Sequence, residues 1–92
     1  MSRIAARTDQ NQSAIVAALR KAGATVQHLH AVGKGCPDLL VGYKCENYLI
    51  ECKLPGKNPN KLQREWHSAW KGNSFIAHTP DAALWAIGVR NV

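Results

Sequence analysis

Acidic residues are scarce in this sequence: six Asp and Glu stand against twelve Lys and Arg, giving a net charge of +6 and a pI near 9.6. That imbalance favours a polyanionic partner, nucleic acid or an anionic surface. Long hydrophobic runs are lacking too. No apolar stretch approaches the roughly 18 residues that span a bilayer. Met1 to Thr8 lacks the apolar segment of a secretory signal, so the expected compartment is the cytoplasm. Cysteines number only three, Cys36, Cys45 and Cys52, an odd count with no CxxC pair. This pattern disfavours both a disulfide framework and a structural zinc site, and the thiols read as buried or incidental surface residues. Repeats and low-complexity tracts are missing, and the one stretch rich in Gly and Pro runs from Leu54 to Pro59.

What is present fits one small globular domain spanning 1–92. The 92 residues fall below the size at which chains divide. Hydrophobic residues make up 46%, and a mean hydropathy of −0.27 leaves enough for a core without an excess that calls for lipid. A domain this short is poor in core, which favours a partner subunit.

The chain parses as alternating short elements. Ile15, Leu19 and Ala22, with Val16 beside them, make a helical stripe within 9–22 that ends at Lys21 and Gly23. Thr25 to Val32 is β-rich and closes on the turn cluster Gly33 to Pro37. Asp38–Tyr43 and Asn47–Lys53 then read as a hairpin. After Pro59, Asn60 is a good N-cap, and Leu62, Trp66, Ala69 and Trp70 share one face of a second helix before Gly72. Ser74–His78 is a short strand, and Pro80–Ile87 a last helix. The order α-β-β-β-α-β-α predicts an α/β domain with a small mixed β-sheet flanked by helices.

Chemistry concentrates in Pro37-Asp38 and, twelve residues on, Glu51-Cys52-Lys53. Strand alternation puts Glu51 and Lys53 on one face, about 6.6 Å apart, with Ile50 and Cys52 on the other. A hairpin turn of two or four residues around Lys44–Asn47 brings Asp38 beside Glu51 or Lys53, whereas a turn of three breaks the arrangement. Two carboxylates about 4 Å apart repel by roughly 4 kcal/mol at an effective dielectric near 20, and a divalent cation compensates. Carboxylate oxygens from Asp38 and Glu51, the backbone carbonyl of Cys52 and waters suit Mg2+ or Mn2+ better than zinc. Lys53 on the same face is placed to hold an attacking water or offset phosphate charge. These parts match metal-assisted phosphodiester hydrolysis.

Three segments, Gly35-Cys36-Pro37-Asp38-Leu39-Leu40-Val41-Gly42, Leu49-Ile50-Glu51-Cys52-Lys53 and Leu62-Gln63-Arg64-Glu65-Trp66-His67, together with the opening Asp9-Gln10-Asn11-Gln12, carry a family resemblance. The chain resembles a stand-alone VRR-NUC domain of the PD-(D/E)xK nuclease superfamily, of the small phage and bacterial type, from about Arg7 to Ile87. The resemblance implies a restriction-endonuclease-like core. It makes Asp38 and Glu51 the metal ligands, Lys53 the catalytic lysine and Gln63 a helix glutamine beside the site. It also implies a homodimer acting on branched DNA such as Holliday junctions. The family often has a small apolar residue where Cys52 stands, a turn glycine where Cys45 stands, and a helix-one glutamate whose nearest counterpart here is Asp9, a candidate further metal ligand.

Plainer roles compete for several of these residues. Asp9 and Gln12 have capping-box spacing, as do Asn60 and Gln63, so capping is the stronger reading for Asp9, and capping and site contact are level for Gln63. His67 lies four residues beyond Gln63 and reads as a surface or packing residue rather than a general base. His28 and His30 face either site or solvent. Trp66, Trp70 and Trp85 read as core or interface, with base stacking the lesser alternative. Lys57, Lys61 and Arg64 near the Pro/Gly loop, with Lys34, are candidate DNA-binding residues. The C-terminal helix is apolar nearly all round: Ala83, Leu84 and Ile87 are expected against the sheet, and Trp85 at a dimer interface or in the core. The leading expectation is a metal-dependent DNA endonuclease. Its alternatives are a non-catalytic DNA-binding or packaging-accessory module and a flap or end nuclease.

Overall fold

The computed structural model describes residues 11–90 and is a small mixed α/β domain. The elements are α1 (Gln12–Lys21), β1 (Thr25–His28), β2 (Leu39–Tyr43), β3 (Glu46–Cys52), α2 (Lys61–Ala69), β4 (Ser74–Ala77) and α3 (Pro80–Ala86), in the order expected. One sheet runs β1-β2-β3-β4, antiparallel except for the parallel β3–β4 pair that α2 connects. Among the described residues no helix is long and apolar enough to cross a membrane.

The β2–β3 register follows from its turn. Tyr43 pairs with Glu46, which leaves the two residues Lys44 and Cys45, and both take positive φ, 51° and 66°. Two successive left-handed residues match the twist of a two-residue hairpin. The register then brings Leu39 opposite Ile50, and both are fully buried. Leu39, Val41, Ile50, Cys52 and Ala77 form the sheet side of the core, covered by Ile15, Val16 and Leu19 of α1, by Ala83 of α3 and by Ile87 at its C-cap. The expected inward face of the last helix is therefore observed, and Trp85 stands outside the core at 62% exposure. None of the three cysteines forms a disulfide.

Two expectations change. The first strand stops at His28 rather than Val32, because the chain turns: Leu29 N–H still reaches Asp38 O, but Val32 N–H folds back to Leu29 O. His30 consequently lies in a turn and not on a strand face. The second change is in α2, which contributes no fully buried residue; Leu62 and Trp70 of its apolar stripe are about half exposed. The capping and metal roles considered for Asp9 lie outside the described residues. The N-cap of α1 is Asn11, whose side-chain amide is committed elsewhere, donating to Lys53 O at 3.0 Å and His78 O at 2.8 Å.

Candidate active site

The β2–β3 register ends at Leu39 and Ile50, which leaves Asp38 just before β2 and Glu51 one residue further along β3, its side chain on the face opposite Ile50 and Cys52. Asp38 sits where the chain enters β2, and its Oδ2 accepts a hydrogen bond from the backbone N–H of Cys52 at 2.8 Å. That bond fixes the carboxylate against the end of β3. Lys53 follows directly, and its N–H bonds Ala77 O, so the ladder and its alternation extend through this residue. Its half-buried side chain thus shares the face of Glu51.

Glu51 is 2% exposed. A charged group so deep needs polar company, and α2 supplies it from two positions one turn apart. Gln63 Nε2 donates to Glu51 Oε2 at 2.9 Å, while His67 Nε2 lies 3.9 Å from Oε1. His67 is itself steered by a hydrogen bond between its Nδ1 and the Ser74 hydroxyl at 3.0 Å. Gln63 also completes a capping box, accepting from Asn60 N–H through Oε1 while its own N–H donates to Asn60 Oδ1. Gln63 therefore both caps α2 and touches Glu51.

The site edge is tightly built where α2 meets the loop before Asp38. Gly33, Lys34 and Gly35 all have positive φ, and a Cβ on Gly35 would come within 2.6 Å of the Leu62 carbonyl oxygen. Only glycine lets that loop pass under the helix. Just beyond it, burial raises the pKa of the Cys36 thiol, and the charges of Glu51 and Asp38 add to the rise. Cys36 therefore feels the field of both carboxylates. Burial also lowers the pKa of His67.

The donor set fits a hard divalent cation in part. Asp38 and Glu51 both lie close enough to act on the Cys36 thiol, yet among the described residues no group of three or more His, Cys, Asp and Glu could hold a metal ion. Further donors would have to be backbone carbonyls and water, as magnesium and manganese accept. Cys52 shows its N–H in use toward Asp38, and its side chain lies on the opposite, core face.

The basic residues are less concentrated than the sequence implies. Lys34, Lys57, Lys61 and Arg64 are all exposed. Lys61 pairs with Glu65 at 3.5 Å and stands about 160° round the helix from Gln63, on the outer side. Arg64 Nη1 donates to Pro59 O at 2.8 Å, bracing the loop. The sequence reading gave His67 a surface or packing role and none to Asn11, Cys36 or Ser74. The signal for His67 was its four-residue spacing from Gln63; Ser74 and Cys36 carried none, since both arrive through tertiary packing.

No protein-family model matches the chain, and no curated protein matches it.

Proposed function

We propose that this chain is a divalent-metal-dependent endodeoxyribonuclease with a restriction-endonuclease-like fold, similar to the VRR-NUC domains and acting in the cytoplasm on branched DNA. One observation carries the reading: Asp38, just before β2, accepts from the Cys52 N–H beside a buried Glu51, with Lys53 two residues beyond Glu51. Mg2+ or Mn2+ would be held by Asp38 and Glu51, with the Cys52 carbonyl as a further donor. The ion would lower the pKa of a bound water and stabilise charge on the phosphate. The chain's own residues do the rest. Cys52 N–H orients Asp38, Gln63 orients Glu51, and the Lys53 ammonium offsets the anionic phosphate. Lys34, Lys57, Lys61 and Arg64 neutralise flanking phosphates. A homodimer would supply the two symmetry-related cuts that a four-way junction requires, with exposed Trp85 at the contact.

The test is cleavage of a labelled four-way junction, a flap and a plain duplex with manganese and with EDTA. Metal-dependent cutting of the junction is expected. Cutting of the flap alone would make the chain a flap nuclease, and absence of cutting on every substrate overturns the enzyme. The depth of Glu51, which limits access to one ligand, favours the non-catalytic DNA-binding module as second reading; binding without cleavage in the same assay identifies it.

A further inference from the structure

The Trp66 and Trp70 rings are stacked, with centroids 4.7 Å apart and planes 17° from parallel. Trp66 is half-buried and meets the His67 ring edge-on at 5.6 Å, whereas Trp70 remains 48% exposed. The exposed ring is packed on one face. A Cβ on Gly72 would lie 2.9 Å from Trp70 Nε1, and Gly72 has no positive φ to require glycine. A side chain at 72 would crowd the indole edge. Trp66 on one face and the backbone at Gly72 by the edge hold a large aromatic ring in place while leaving much of it to solvent.

A ring already packed on one face binds a flat partner with little further loss of conformational freedom. The basic segment that carries it selects the partner's charge. Between 57 and 71 four cations, Lys57, Lys61, Arg64 and Lys71, stand against the single Glu65. A second copy of the same surface would bring like charges together, whereas a nucleic-acid strand brings phosphates. Trp70 lies about 10 Å along α2 from Gln63 by helical rise, and Gln63 touches Glu51. A strand with its phosphate at the carboxylates can reach the ring.

We propose that Trp70, backed by Trp66, is a stacking platform for an unpaired base of the DNA substrate, so that the site prefers DNA with single-stranded nucleotides beside the duplex. This rests on DNA being the partner, as in the function proposed above, but not on cleavage. Stacking on an aromatic side chain supports such binding without sequence preference.

The experiment measures fluorescence anisotropy in EDTA at fixed salt with three labelled probes: a blunt duplex, the same duplex with a short single-stranded tail, and that tail made of abasic nucleotides. Trp70→Ala should weaken binding of the tailed probe by about tenfold and leave the other two unchanged. Trp70→Phe should keep most of the tailed affinity, and equal blunt-duplex binding shows that each variant is folded. Equal weakening on all three probes, or no weakening on the tail, overturns the platform. A fall in sedimentation mass in Trp70→Ala would make a second copy the occupant and overturn it as well. A protein that cuts nothing with manganese yet shows the tail-specific loss refutes the nuclease and keeps the platform.

Discussion

Glu51 and Gln63 join the sheet to α2 through one 2.9 Å hydrogen bond, and the other amide atom of Gln63 closes the cap of the same helix at Asn60 N–H. One side chain therefore does two jobs, and substitution separates them. Asn60→Ala removes the capping acceptor, the amide oxygen Asn60 Oδ1, and should cost about 1 kcal/mol. Gln63→Ala also strips a donor from a buried carboxylate and should cost about 2 to 3 kcal/mol. Urea denaturation of both variants measures the difference, and equal losses would mean that the contact with Glu51 contributes nothing to stability.

Glu51→Gln replaces the carboxylate by an amide of the same shape. Cleavage should disappear while DNA binding at low salt persists, because phosphate contacts with Lys and Arg supply most affinity. Calorimetry should show weaker metal binding in this variant. Lys53→Ala should lower turnover with metal binding retained, since an ammonium is no ligand. Unchanged turnover in Glu51→Gln would put the site elsewhere.

The β2–β3 turn holds Cys45 at φ 66°, a conformation that costs a side-chain-bearing residue about 1 kcal/mol. Cys45→Gly should therefore raise stability by about that amount, with no change in cleavage, since the turn is at the opposite end of the hairpin from Asp38. Thermal unfolding tests it, and a lower midpoint would contradict the strain. Exposure orders the thiols as well: Cys45 is exposed, Cys36 half-buried with its pKa raised, and Cys52 fully buried. A thiol reagent should label them in that sequence, and mass spectrometry of partly labelled protein reads it directly.

The hairpin and its carboxylates were legible in the sequence because both obey local rules. Alternation assigns Ile50 and Cys52 to one face and Glu51 and Lys53 to the other, and a turn of even length preserves the pairing. The fate of α2 was not legible. Periodicity reveals an apolar stripe of Leu62, Trp66 and Trp70 but not which way it points, and this helix turns its polar edge, Gln63 and His67, toward the sheet because a buried carboxylate waits there. β1 ended early for a similar reason: Leu29 to Val32 is strand-like in composition, yet the turn that carries the chain back toward Asp38 takes its hydrogen bonds.

Gly35 tests that close approach of helix and loop. Gly35→Ala would put a methyl 2.6 Å from the Leu62 carbonyl at a φ of 83°. Strain and displacement together should cost about 2 to 3 kcal/mol. Because the loop runs directly into Pro37 and Asp38, cleavage should fall along with stability. Retention of both in denaturation and cleavage assays would mean that the loop has room to move.

His67 makes stability depend on pH in a direction that follows from its burial. In the unfolded chain the imidazole titrates near its ordinary value of 6.5, while in the folded protein burial lowers that value. Between the two, the unfolded state binds more protons than the folded state, so stability rises with pH across this window. The contribution is fully present above 6.5 and is lost as pH falls through the folded value. Glu51 Oε1 lies 3.9 Å from Nε2. Urea midpoints measured from pH 7.5 down to about 5 should therefore fall more steeply for the native protein than for His67→Gln, whose side chain has no proton to gain. Parallel curves would show that the ring titrates alike in both states, and a flatter native curve would show that the ion pair with Glu51 outweighs burial.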